Sequence, residues 1–155
     1  MNNSLEIERK FLIASPPANL ESYPYMEIVQ GYVAIERDTA VRIRKKGKRF
    51  FLTVKKGEGL KRHETEISLD KSVFFQLWPL TEKRRVEKTR YEIPLESLRI
   101  ELDRYKGDLA PLITAEVEFD TEEASKDFIP PPWFGEEITE DVRYANNNLA
   151  RYGKP

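Results

Sequence analysis

The chain contains no cysteine and a single histidine. That removes disulfides, thiolate metal sites and thiol nucleophiles, and it makes a zinc or histidine-based centre a poor fit. No apolar run approaches the roughly 18 residues of a membrane helix. The N-terminus, MNNSLEIERKFLI, lacks a basic segment followed by an apolar one, so a cytoplasmic protein without membrane contact is expected. An excess of one charge is missing too, because 26 Lys and Arg nearly cancel 27 Asp and Glu. Without an uncompensated basic face, no nucleic-acid partner is expected. A Gly-rich phosphate loop of Walker spacing and an evident Ser/His/Asp set are also lacking.

What the chain does have is balanced charge in abundance. Charged residues make up 34% of 155 positions, against roughly 25% in an average globular domain. The length suits one domain spanning residues 1–155, and 39% hydrophobic residues can supply its core. Period-two patterning bounded by turn residues predicts strands over 4–13, 27–36, 39–46, 48–56, 62–69, 83–93, 98–105 and 112–120. Helices are expected over 70–78, capped by Asp70, over 121–128, and over 139–150 behind Thr139. The run Pro130-Pro131-Pro132-Trp133 has two readings, a ligand for an aromatic groove or, as such runs more often are, a fixed turn before a helix.

Sorting the strands by parity gives the decisive pattern, since residues i and i+2 share a face. Glu6, Glu8 and Lys10 oppose Leu5, Ile7 and Phe11, while Arg42 and Arg44 oppose Val41 and Ile43. Thr53 and Lys55 oppose Leu52 and Val54; Arg62, Glu64 and Glu66 oppose Ile67 and Leu69. Arg84, Lys88 and Arg90 share a face, as do Glu101 and Asp103, and Glu116 with Glu118 opposes Ala115, Val117 and Phe119. An open sheet wetted on one side would give this alternation. So would a closed antiparallel eight-stranded barrel with charges inside, where side chains or one small ligand fill the lumen. Repeated carboxylate pairs and Arg pairs at i,i+2 spacing favour the barrel, because a merely solvated face mixes its polar residues freely.

Glu6, Glu8, Asp103, Glu116 and Glu118 are hard oxygen donors of the kind that bind Mg²⁺ or Mn²⁺, and the lone His63 falls on the opposite parity. Lys10, Arg42, Arg44, Lys55, Arg62, Lys88 and Arg90 match phosphate oxygens. So many acids would repel an anion unless a divalent cation bridged them to it, so metal plus oligophosphate satisfies both sets. Attack by a metal-activated water is then the simplest chemistry. Lys10 orients the water or the attacked phosphorus, Glu6 and Glu8 hold metal, and the cations offset charge developing on the transferred phosphoryl group.

Glu6-Ile7-Glu8-Arg9-Lys10 has the form E-x-E-x-K and resembles the signature of the CYTH superfamily, the triphosphate tunnel metalloenzymes. Gln30-Gly31-Tyr32, Arg42-Ile43-Arg44, Thr53-Val54-Lys55, Glu64-Thr65-Glu66, Glu87-Lys88-Thr89-Arg90-Tyr91, Glu101-Leu102-Asp103 and Glu116-Val117-Glu118-Phe119 follow in the family's order. The chain looks most like short bacterial tripolyphosphatases, which share a stretch similar to residues 128–137. The resemblance implies an eight-stranded tunnel that hydrolyses tripolyphosphate to pyrophosphate and phosphate. It gives Glu6, Glu8, Asp103, Glu116 and Glu118 to metal and Lys10, Arg42, Arg44, Lys55, Lys88 and Arg90 to phosphate, with Arg62, Glu64 and Glu66 carried over less directly. Relatives often have Lys in a C-terminal Y-K-N segment; here it is Tyr144-Ala145-Asn146, so Arg143 or Arg151 must substitute if a basic contact exists.

The superfamily also contains class IV-type adenylate cyclases and thiamine or nucleoside triphosphatases, so the fold leaves these activities open. A polyphosphate-binding module without turnover is a further alternative, disfavoured by the number of acids facing the anion. An apolar outer face meets helices or a second subunit, which leaves a homodimer open.

Overall fold

The computed structural model describes residues 2–155. Eight strands are formed, β1 (Asn2–Leu12), β2 (Tyr25–Glu36), β3 (Thr39–Lys46), β4 (Arg49–Lys56), β5 (Lys61–Ser68), β6 (Arg85–Leu95), β7 (Leu98–Tyr105) and β8 (Ile113–Phe119). They close into an antiparallel barrel in the order β1-β5-β4-β3-β2-β6-β7-β8. Each lies within two residues of the span expected from the alternation. Closure depends on β1, which pairs with β5 from Asn2 to Ile7 and with β8 from Ile7 to Leu12. Short turns join β2 to β3 and β3 to β4, the second using Gly47 at φ 61°, where a side chain is strained.

With charges on the inner parity, the apolar parity faces outward, and the main hydrophobic core lies outside the barrel wall. Phe11, Ile93, Leu102, Val117 and Phe119 are buried beneath Leu20, Phe128, Trp133 and Phe134. The rings interlock, with Phe11–Phe134 centroids 4.8 Å apart and Phe119–Phe128 5.3 Å apart. Burying each such side chain contributes about 1.5–3 kcal/mol. This cover is delivered by α2 (Glu122–Asp127), whose cap Thr121 accepts a hydrogen bond from the Ala124 amide. On another side, α1 (Lys71–Leu77) sets Phe74 against Phe50 of β4, and Trp78 of the 3-10 turn Trp78–Thr81 stacks on Phe74.

The C-terminal region departs from the expected helix over 139–150. Only a 3-10 turn at Val142–Tyr144 and α3 (Asn146–Tyr152) form there. Thr139 is no cap; its hydroxyl accepts from the Lys10 amide and donates to Glu137, while the Ile138 amide donates to the Lys10 carbonyl. These bonds pin residues 137–139 to β1 and prevent helix geometry there. Asp141 caps the 3-10 turn instead. The proline run does make a turn, closed by Phe134 N–H to the Pro131 carbonyl, but it leads into this pinned strap and not into a helix. At α3, Leu149 packs with Val86, Tyr105 and Leu109 and seals one end of the barrel. Among the described residues no helix is long and apolar enough to cross a membrane.

Gly31 marks where the outer layer comes closest, since a Cβ there would stand 2.5 Å from Thr81 Cβ. Thr81 is fully buried and its hydroxyl is tied to the Trp78 carbonyl and Arg85, so it has no room to withdraw. Gly31→Ala is expected to lower stability by about 1–3 kcal/mol, as overpacking does, measured as a shift of the urea midpoint at unchanged slope.

Candidate active site

The inner parity of all eight strands converges on one chamber. From β1 come Glu6, Glu8 and Lys10, from β3 Arg42, Arg44 and Lys46, and from β4 Lys55; β5 adds Arg62, Glu64 and Glu66. The far wall adds Lys88 and Arg90 of β6, Glu101 of β7, and Glu116 and Glu118 of β8. Of the residues assigned from the sequence to metal or phosphate, all line this chamber except Asp103, which sits behind Lys88 and Arg90.

Removing such charges from water costs several kcal/mol per ion unless each is paired, and the chamber is knitted accordingly. Arg44 Nη2 lies 2.9 Å from Glu66, Arg42 Nη2 3.7 Å from Glu64, and Lys55 3.8 Å from both Glu6 and Glu64. Arg62 pairs with Glu8, and Lys10 Nζ is 3.7 Å from Glu116. Arg90 grips Asp103 with two bonds of 2.7 and 2.9 Å, and Lys88 Nζ meets the same carboxylate at 2.8 Å. Among the described residues, Glu118 and Lys46 have no ion-pair partner within 4 Å.

The chamber retains unspent binding capacity. Burial draws the Lys88 ammonium down to about 7, with Asp103 opposing, and burial with Arg42 and Arg90 draws Arg44 down to about 10. Burial also works against ionised Asp103, but Arg90 and Lys88 prevail and hold it at about 2. Although burial opposes it, Lys10, Arg90 and Arg62 hold the Glu116 carboxyl below its usual range. The buried Nε atoms of Arg42, Arg44 and Arg62 have no hydrogen-bond partner. Buried donors of this kind are rarely left unmet in a functioning protein, so an acceptor-rich ligand suits them.

No three carboxylates lie together as a preformed metal cluster among the described residues. The donor chemistry nevertheless fits a hard cation. Glu8 and Glu118 are register partners on adjacent strands, a like-charge pairing that is unfavourable alone. Burial and a hydrogen bond with Glu64 push Glu6 up to about 8, against Lys55, and burial with Glu101 and Glu64 raises Glu118. Carboxyls whose ionised form is disfavoured in the free protein are those a divalent cation would stabilise as ligands.

Lys46, Glu101, Tyr32 and Asn146 also line the chamber, with no role assigned to them from the sequence. Lys46 continues the parity of Arg42 and Arg44, and Glu101 that of Asp103, so both were within reach of the same pattern. Tyr32 shares a β2 face with Gln30, a face with little charge to mark it. Asn146 is marked in the sequence only as the last residue of the Tyr144-Ala145-Asn146 segment; it enters because α3 crosses the end of the barrel, where its Oδ1 accepts from Tyr105 at 2.6 Å and Lys88 at 3.4 Å. Neither expected substitute for a basic C-terminal contact reaches the chamber. Arg143 is exposed and bonded to Asp141, and Arg151 is exposed and bonded to Asn148. The strap offers the Tyr144 carbonyl, which takes Lys10 Nζ at 2.7 Å.

A CYTH domain model matches residues 4–152. An inorganic triphosphatase of Nitrosomonas europaea is 50% identical over 148 residues, covering 94% of this chain and 96% of the relative. An inorganic triphosphatase of Acetivibrio thermocellus is 34% identical over 94% of this chain and 93% of its own length. A solved inorganic triphosphatase superposes with a TM-score of 0.74 at 45% identity over 97% of each chain. A Pyrococcus horikoshii protein, 18% identical over 78% of this chain and 82% of its own, shares the fold with a TM-score of 0.61.

The raised Glu6 carboxyl has a sign that can be tested. Its proton is kept in the folded chain and lost above about 4.5 in the unfolded one, so its stabilising effect is full at low pH and is lost as pH rises toward about 8. In metal-free buffer the native protein is therefore expected to lose stability relative to Glu6→Gln between pH 5 and pH 8, read from urea unfolding of both at each pH.

Proposed function

Because the chain belongs to the CYTH domain family, we propose that it hydrolyses inorganic tripolyphosphate to pyrophosphate and phosphate with a divalent cation, Mg²⁺ or Mn²⁺. The observation behind this reading is the enclosed lumen in which buried Arg42, Arg44, Lys88 and Arg90 face carboxylates of β1 and β8. It agrees with the activity of a relative 50% identical over almost the whole chain.

The water oxygen bonds to a terminal phosphorus, the P–O bond to the bridging oxygen breaks and pyrophosphate leaves with that oxygen, while the two protons of the water pass to the product phosphates and, from them, to solvent. Arg42 and Arg44 on one wall and Lys88 and Arg90 on the other bind non-bridging oxygens and offset charge that grows on them as the bond breaks. Lys10, steadied by the Tyr144 carbonyl and Glu116, orients the attacked end. Glu6, Glu8, Glu116 and Glu118 are the residues that would hold the cation, with Glu64 and Glu66 beside them. When bound, such a cation lowers the pKa of water and neutralises phosphate oxygens. A lumen whose acids and bases nearly balance gives little net attraction to a bare polyanion, which is why the metal-complexed form is the substrate that suits it.

Among the described residues, the part of the lumen between Arg44, Arg90 and Glu118 has no aromatic side chain to hold a base. A small rim of Tyr32, Ala40, Ile138, Val142 and Ala145 near α3 is where an organic group would have to sit, and it sets ATP and thiamine triphosphate as the competing substrates.

Phosphate release from tripolyphosphate, pyrophosphate, ATP and thiamine triphosphate with Mg²⁺ or Mn²⁺ decides among these. Tripolyphosphate is expected to be cleaved fastest, with kcat/KM lowered about 10²-fold or more in Glu8→Gln and in Arg42→Ala. Cyclic AMP from ATP would instead identify a cyclase, and tight tripolyphosphate binding without turnover a binding module.

A further inference from the structure

Resting on the reading that the chamber takes oligophosphate, we propose that Asp103 is a positioning residue for the phosphate-binding wall and not a ligand of the cation. Its carboxylate is already committed. Oδ1 accepts Arg90 Nε at 2.7 Å, and Oδ2 accepts Arg90 Nη2 at 2.9 Å and Lys88 Nζ at 2.8 Å. The residue is fully buried and does not line the chamber, whereas Lys88 and Arg90 do. A divalent cation needs an oxygen at about 2.0–2.6 Å, which Asp103 could give only by shedding Arg90 or Lys88 and leaving a buried cation unpaired.

The register sets this arrangement. Arg90 and Asp103 are direct partners across β6 and β7, and Lys88 lies one lumen position along β6. A guanidinium gripped along its Nε edge cannot rotate, and Glu101 takes a further bond from Nη1 at 3.1 Å. That leaves one N–H on each of Nη1 and Nη2 for the chamber. Lys88, held by Asp103 and at 3.4 Å by Asn146, likewise keeps one proton free. Asp103 thus turns two flexible cations into one fixed anion-binding unit, and fixed donors bind a developing charge without reorganising. The acids that do line the chamber on β1 and β8 are left for metal.

The test separates the two roles in the whole protein. Protein-bound Mn²⁺ is titrated by electron paramagnetic resonance without phosphate, and KM for tripolyphosphate is measured at saturating Mg²⁺. In Asp103→Asn, KM is expected to rise about tenfold or more while Mn²⁺ affinity changes less than about twofold; Glu8→Gln shows the reverse emphasis, losing Mn²⁺. Arg90→Lys keeps every charge but cannot make the two-bond grip, so it is expected to raise KM as Asp103→Asn does. It stands in if Asp103→Asn fails to fold, and combining the two changes is expected to add little. Loss of Mn²⁺ binding in Asp103→Asn, or a native KM in Arg90→Lys, would overturn the proposal. Should the native protein turn over no tripolyphosphate, the functional reading falls, and the Mn²⁺ titrations still decide whether Asp103 is a ligand.

Discussion

Closing a sheet around charge is the constraint on which this molecule turns. A barrel of eight strands has room inside for side chains or one small ligand, and here most inner positions are Lys, Arg, Glu or Asp. Ions removed from water must find partners or lose their charge, and both occur. Arg44 meets Glu66, Arg90 meets Asp103 and Lys10 meets Glu116, while Glu6 is pushed toward its protonated form.

The inversion governs how the chain is stabilised. With the lumen given to charge, apolar burial has to come from the outside of the wall, so Phe11, Val117 and Phe119 need Phe128, Trp133 and Phe134 as a cover. The short helices and the strap 137–147 therefore do more than decorate the barrel: without them its hydrophobic parity would face water. The same strap, stitched to β1 through Glu137, Ile138 and Thr139, closes one end and brings Asn146 to Lys88. Stability and site geometry thus share parts. The resulting set of opposed, pre-paired charges holds its cations in place, and on the proposed reading those pairs would be exchanged for metal and phosphate oxygens.

Much of this was legible from residues alone because a strand has period two. The faces of Glu6/Glu8/Lys10, Arg42/Arg44 and Glu116/Glu118 follow from position number, and the structure puts all of them on one chamber. Lys46 and Glu101 obeyed the same rule and could have been included. The rule fails where the backbone leaves the sheet. Thr139 has the sequence of a helix cap, but hydrogen bonds from β1, some 130 residues away in sequence, hold it in a strap. Arg143 and Arg151 have the right charge for a phosphate contact and are turned outward, bonded to Asp141 and Asn148.

The sequence by itself determined the strands, their order of charge and the parity that separates ionic from apolar, because alternation is local and each residue's face is set by its neighbours. Only the tertiary structure decided that the ionic face closes inward, which acid meets which base, and that Asp103 stands behind Lys88 and Arg90 instead of beside Glu116 and Glu118. Partner choice among many similar charges depends on inter-strand register and on distances of a few ångströms, and neither is written in the order of residues along one strand.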